Sequence, residues 1–461
     1  MEKTTQRKMV TIAMLVSILL VAIDTTIITT AMPHIVQQLS GLNLLSWVFA
    51  IYLLTSSVTT PIYGKLADLF GRKSIFLFGI MLFVIGSMVS GMAQTMYQLI
   101  LFRGFQGLGA GAVMPLTFII IADLYPGEER AKMQGVFSSV WGIAGLLGPL
   151  VGGLFVDHIS WRWIFYINVP IGIVAILLVL SFFHEPTIEK TKKTIDYWGA
   201  ALFTISMGSL LFALISGGQL YAWNSVEIIS LFIVAVVLLI IFLFVESMVK
   251  EPMLPLSLFK IPVIAVSNAV GFVASGVLIG VNVYLPIWIQ TLLGHSATSS
   301  GLTLMPMSFA WPLASTLAGQ FMYKIGSKTT AVFGAVLIMA GSAWLLLVHT
   351  GSPYWYFVGI MIVIGFGMGC SFTPLTVLVQ SAVGWNLRGA ATASNTFSRS
   401  LGQTVGVAVL GTVFNNTLNQ NGLAQGLHVV FILVFAISIV TLLVSSLLPS
   451  HRSIIAHQKA D

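Results

Sequence analysis

Apolar runs of roughly 20 residues alternate with short polar turns along this chain, at 9–32, 45–63, 74–93, 97–122, 133–156, 163–183, 198–216, 226–247, 263–291, 298–322, 329–349, 353–379, 389–415 and 427–448. A helix of that length crosses about 30 Å of hydrocarbon, so the pattern predicts an all-α membrane protein of fourteen spans. The first run is too long for a cleavable signal, and no small-residue cleavage site follows its apolar core.

The polar turns repeat. Gly64-Lys-Leu-Ala-Asp-Leu-Phe-Gly71-Arg72-Lys73, between the second and third runs, returns as Gly319-Gln-Phe-Met-Tyr-Lys-Ile-Gly326-Ser-Lys328, and both copies continue to Phe-Gly, at Phe78-Gly79 and Phe333-Gly334. Pro33, Gln37 and Gly41 are matched by Pro286, Gln290 and Gly294, and Gly107, Gly109 and Gly111 by Gly365, Gly367 and Gly369. These matches relate span one to nine, three to eleven and four to twelve in the same orientation. Two parallel six-span bundles follow, the arrangement of a secondary transporter built by duplication. The expected organisation is an N-terminal bundle over 1–184, a linker with two additional helices over 185–260, and a C-terminal bundle with a short tail over 261–461. The second turn carries Tyr323 and Ser327 where the first carries Asp68 and Arg72, so the work of that carboxylate and guanidinium belongs to the first half.

Composition changes the picture only by naming the solvent: 57% of residues are hydrophobic, 8% are charged, and a water-soluble chain cannot hide that much apolar surface. All but three of the 21 Lys and Arg fall on one side of a fourteen-span thread whose termini are both cytoplasmic. Arg162 lies on the other side, and Arg103 and Arg399 lie within spans. The net charge of +7 therefore reads as membrane topology rather than nucleic-acid binding. The single cysteine, Cys370, excludes an internal disulfide.

Five motifs follow one another in order: Ile23-Asp24-Thr-Thr-Ile-Ile with Ala-Met-Pro33 in span one, the Gly64 to Lys73 turn, Arg103-Gly-Phe-Gln106-Gly107-Leu-Gly109 in span four, Gly148-Pro149-Leu-Val-Gly152-Gly153 in span five, and Trp161-Arg-Trp-Ile-Phe-Tyr-Ile-Asn168-Val-Pro170 at the start of span six. Together they resemble the signatures of the major facilitator superfamily and, within it, the fourteen-span drug:proton antiporter branch, with Thr29 where Asn is more usual. The resemblance covers nearly the whole chain. It implies a central cavity lined by spans one and four. It also implies a gate in which Gly64, Asp68, Gly71 and Arg72 work with Asp123, and a leak-limiting span five at Gly148, Pro149, Gly152 and Gly153. Ordinary close helix packing would leave the same trace in span five.

Charge burial points to the working residue. Of the fourteen acidic residues, Asp24 alone lies well inside a run. An ionised carboxylate in hydrocarbon costs several kcal/mol, so it takes a proton or finds a cation. Asp24 lies roughly 12 Å below Met32 and Arg103 roughly 9 Å below Tyr97, so their depths match. With their spans adjacent, as the resemblance implies, Asp24 and Arg103 are expected to pair until a proton on Asp24 releases Arg103. A cationic substrate would compete with that proton for the same carboxylate. The plainer reading is that Asp24 pins helices together. Arg103 alternatively satisfies carbonyls near the glycines, and Arg399 either faces the cavity of the second half or packs helices.

Spans nine to fourteen contain no Asp or Glu. Only one negative group is then available to a cationic guest, so lipophilic monocations, zwitterions or neutral amphiphiles are expected, received by aromatic and Met side chains. Asn282, Tyr284 and Trp288, around Pro286, are the candidate contacts. Asp68 is placed to meet the positive N-terminus of a helix from the other half, and Arg72 to pair with Asp123. No Gly-x-x-x-x-Gly-Lys-Ser/Thr loop occurs, so ATP is not expected to drive transport, and no metal or other cofactor is expected. The expected function is a proton-coupled multidrug efflux antiporter, a monomer in a bacterial plasma membrane, and not an enzyme. The alternatives are a proton-coupled exporter of one metabolite, such as a siderophore or amino acid, and a non-transporting membrane sensor or enzyme.

Overall fold

The computed structural model describes residues 5–40, 44–185, 196–218, 220–249, 252, 255–295 and 297–449. Among the described residues the N-terminal part holds long helices α1 (Arg7–Leu39), α2 (Leu45–Phe70), α3 (Arg72–Gly91), α4 (Met96–Leu124), α5 (Gly127–His158) and α6 (Trp163–Phe182), the last interrupted at Ile167. Then come α7 (Tyr197–Ser216) and α8 (Val226–Met248). The C-terminal part holds α9 (Pro262–Ile287), α10 (Ala297–Ile325), α11 (Ser327–Leu346), α12 (Tyr354–Ser381), α13 (Trp385–Asn421) and α14 (Leu423–Ser446).

Local chemistry sets several helix ends. Thr95, Asp196 and Ser225 cap α4, α7 and α8 by accepting from Gln98 N, Gly199 N and Ile228 N. At the start of α3, Glu185 reaches across to accept from Arg72 N at 2.7 Å and Lys73 N at 3.0 Å. The turn into α3 runs through Gly71 at φ 95°, ψ 145°, and the turn into α11 runs through Gly326 at φ 96°, ψ 144°. Only glycine adopts that conformation without strain, so the repeated glycine marks a repeated backbone. After α9, Pro286 has no N–H to give the preceding turn, and the chain widens into one π-helical turn over Trp288–Leu292.

Two cores form. One family of buried residues, from Val10 to Phe183, knits α1 to α6; another, from Val263 to Leu448, knits α9 to α14. The halves meet along two seams. Gly135 and Gly142 of α5 abut Thr316 and Ser308 of α10, and Gly64 of α2 abuts Gly389 and Ala393 of α13. Phe203 of α7 sits 5.4 Å from Phe397 of α13 and 5.5 Å from Phe242 of α8, in a cluster with Val58 of α2. The extra pair therefore covers the α2–α13 seam.

Among the described residues, ten helices are long and apolar enough to cross a membrane by length and composition, where run length predicts fourteen. The others, α2, α5, α10 and α13, are the seam helices. Where they meet across the halves they carry Gly, Ser and Thr rather than uniformly large apolar side chains.

Candidate functional site

Asp24, on α1, is 1% exposed and sits inside the N-terminal bundle. Its Oδ2 accepts from Arg103 Nη1 of α4 at 2.7 Å, and its Oδ1 accepts from Gln106 Nε2 of α4 and Asn168 Nδ2 of α6, each at 2.9 Å. The network closes on itself: Arg103 Nη1 also donates to Gln106 Oε1 at 2.8 Å, and Asn168 Nδ2 lies 3.0 Å from Ser87 Oγ of α3, which donates to Phe165 O. Arg103 lies over the Tyr52 ring of α2, 4.3 Å from its centroid. One carboxylate thus gathers α1, α4 and α6, with α2 and α3 one contact further out.

Composition and spacing pointed to Asp24 and Arg103 but assigned no role to Gln106, Asn168, Ser87 or Tyr52. The available signal was that Gln106 stands one turn from Arg103 and that Asn168 closes a motif at the start of span six.

A second polar cluster lies at the end of the bundle that carries the basic turns. Asp68 Oδ1 accepts from Gly389 N at 3.2 Å and Oδ2 from Ala390 N at 3.0 Å, in the first turns of α13. Arg72 is 1% exposed and pairs with Asp68 at 3.1 Å and Asp123 at 3.0 Å, with its guanidinium 3.7 Å over the Trp385 ring. Asp123 also pairs with Arg388 at 2.6 Å, a partner the sequence reading did not name. Arg130 Nη1 donates to Ser381 Oγ at 3.2 Å. Asp68 lies beyond the apolar run 45–63, and burial pushes its carboxyl up to about 7, against the lowering pull of Arg72 and the two backbone N–H groups.

The span-five residues divide. A Cβ on Gly148 would sit 2.1 Å from Thr26 Oγ1 of α1, whereas one on Gly153 would meet nothing within 4 Å. Gly152 is buried, and the helix continues through Pro149, whose side chain lies outside the described residues. Tyr284 and Trp288 face into the C-terminal bundle, 5% and 3% exposed, against Phe414 of α13 and Phe431 of α14. In this conformation neither is offered to a guest, while Asn282 is half-buried. Arg399 of α13 is also half-buried, with its guanidinium 4.0 Å over the Phe372 ring of α12. Among the described residues no three His, Cys, Asp or Glu converge as a metal site.

The Major Facilitator Superfamily model matches residues 14–407. Multidrug resistance protein 3 of Bacillus subtilis (strain 168) is 40% identical over 422 residues, covering 91% of this chain and 82% of that protein. Multidrug transporter protein MdtP of the same strain is 38% identical, covering 90% and 76%. Among solved structures, the proton:xylose symporter XylE aligns with a TM-score of 0.69 at 18% identity, over 96% of each chain. These likenesses extend over both halves and the seams between them, and the chain is a multi-pass membrane transporter, not an enzyme, of the Major Facilitator Superfamily.

Proposed function

We propose that this transporter is a proton-coupled multidrug antiporter that exports lipophilic, mainly monocationic compounds by alternating access, with Asp24 as the group that takes the proton. One observation carries the reading: a carboxylate buried from solvent is held by donors from α1's neighbours α4 and α6, with Arg103 the only cation among them. A proton on Asp24 removes the charge that holds Arg103, so the tie between α1 and α4 loosens while the amides of Gln106 and Asn168 can still donate to the neutral carboxyl. Names of the Bacillus relatives support drugs as cargo.

The reading places all fourteen long helices across a bacterial cell membrane, with both termini in the cytoplasm and the protein working as a monomer. The bundles over 1–184 and 261–461 rock against each other, and the linker over 185–260 carries the extra pair. The latch around Asp68, Arg72, Asp123 and Arg388 is then cytoplasmic, and this conformation is closed on that side. The cluster also revises the order of events. A cation reaches Asp24 only after Arg103 has swung away, so cation and proton visit the carboxylate in successive states.

The test is dye movement in everted vesicles from cells expressing the protein. An imposed proton gradient should drive accumulation of a lipophilic cation, a protonophore should collapse it, and Asp24→Asn should lose it. Gradient-driven transport by Asp24→Asn at the wild-type rate would remove the mechanism.

A further inference from the structure

The spans contain three full charges well inside the bundle: Asp24, Arg103 and Arg399. The first two neutralise each other at 2.7 Å, each 1% exposed. Arg399 is left over. It forms no ion pair among the described residues, and no hydrogen bond from its guanidinium is present among them either. A cation at membrane depth without an anion is expensive, and such groups mark the path of a charged guest more often than a packing contact.

The surroundings suit a guest. Gly271 of α9 makes room for the Arg399 stem: a Cβ there would sit 3.1 Å from Arg399 Cγ. The guanidinium lies over the Phe372 ring, and among the described residues no acceptor meets its N–H donors. Phe372 in turn stacks on Trp311 of α10 at 5.4 Å, extending an apolar wall from the charge. The neighbouring polar groups are spent on each other: Asn268 Nδ2 donates to Ser394 Oγ at 3.1 Å, and Asn395 Nδ2 to Asn268 Oδ1 at 3.0 Å. Contacts to Gly271 of α9 and Phe372 of α12 place Arg399, itself on α13, where these three helices of the C-terminal bundle meet. The net charge offered to a guest there is positive.

We propose that Arg399 is an anion-binding group of the translocation cavity, and that among lipophilic substrates those carrying a carboxylate beside their positive charge are held more tightly than simple monocations. This rests on the reading of the protein as an exporter of lipophilic compounds, and it deepens that reading by naming a second charge that the more tightly held substrates carry. A carboxylate meets the guanidinium edge in a fork of parallel N–H···O bonds, while the lipophilic body lies along Phe372 and Trp311. A substrate that also carries an amine remains free to address Asp24 later in the cycle.

A matched pair of dyes tests this directly. Rhodamine 110 is a zwitterion with a free carboxylate; rhodamine 123 is its methyl ester and a monocation. Binding to the purified full-length protein is measured by fluorescence anisotropy without any gradient. The acid should bind about tenfold more tightly than the ester, the step expected of one charge-assisted forked contact. Arg399→Gln should bring the acid to the level of the ester while moving the ester less than about twofold. Arg399→Lys keeps the charge without the fork and should fall between, which keeps the test open if the Gln variant does not fold. Equal binding of both dyes by the wild type, binding of neither, or equal weakening of both by Arg399→Gln would overturn the assignment. Vesicle transport separates this failure from that of the exporter reading. A preference in binding with no protonophore-sensitive movement of either dye sinks export and leaves the anion site standing. Equal binding with active movement of both does the reverse.

Discussion

Asp24 holds its place through three donors, and each has a different stake in its charge. Arg103 needs it most: with the carboxylate removed, a guanidinium that is 1% exposed is left without an anion. Breaking one side of a buried pair costs about 3–5 kcal/mol, whereas replacing both partners is often near neutral. Asp24→Asn should therefore lower thermal stability in detergent as well as abolish proton-driven dye efflux. Asp24→Asn with Arg103→Gln should recover most of the stability and none of the transport. Recovery of transport in that double variant would mean that the pair only holds helices together. The charges were legible in the sequence because a lone carboxylate in an apolar run stands out. Gln106, Asn168 and Ser87 were not, because uncharged polar residues are tolerated in spans for ordinary helix contacts and nothing in one sequence separates the two uses.

Helix existence was plain from run length, but helix orientation was not. Tyr284 and Trp288 flank Pro286 at the end of a helix whose few polar residues, Asn268 and Asn282 among them, suit a cavity or a packed neighbour equally, so they do not show where the rings point. The structure turns both toward Phe414 and Phe431. Glycines in span five looked alike in sequence and differ in space. Gly148→Ala drives a methyl into Thr26 of α1 and should cost about 1–3 kcal/mol, while Gly153→Ala should change stability by less than about 0.5 kcal/mol, both read by thermal melting.

The α2–α13 latch makes a pH prediction. Its carboxyl, Asp68, stands near 7 in the latched state against an ordinary value of 3.8, because burial outweighs Arg72 and the N–H groups of Gly389 and Ala390. Asp123, itself paired with Arg72 and Arg388, adds to the rise. The latched state thus binds a proton that an opened, hydrated Asp68 releases. That contribution to latching is complete below 3.8 and is lost as pH rises through about 7. Acidifying the latch side from pH 8 to 6 should raise the latched population, seen as protection of a cysteine placed at Ala393, which is buried against Gly64 of α2 in the latched state, and Asp68→Asn should remove the dependence.

At the scale of the molecule, the two seams are held unequally. The α2–α13 seam carries the Asp68 contacts and is covered by α7 and α8 through Phe203, whereas the α5–α10 seam rests on glycine contacts at Gly135 and Gly142. Duplication explains the paired geometry, and the sequence showed it through Gly71 and Gly326. The unequal latch comes from side chains the second half has replaced, Tyr323 and Ser327, together with Arg388, whose partner Asp123 lies far away in sequence. Arg388→Glu sets a second carboxylate where a 2.6 Å ion pair stood. Opposed charges at such contacts contribute enough that reversing one should shift the closed-to-open ratio at this end by about tenfold. Spin labels on cysteines replacing Lys132 of α5 and Lys324 of α10, both exposed, read that opening on the less covered seam. Their separation should lengthen in Arg388→Glu, and efflux should fall because the halves no longer close behind the substrate. An unchanged distance distribution would show that the latch does not hold the halves, and the rocking of one bundle against the other would lose its fastening.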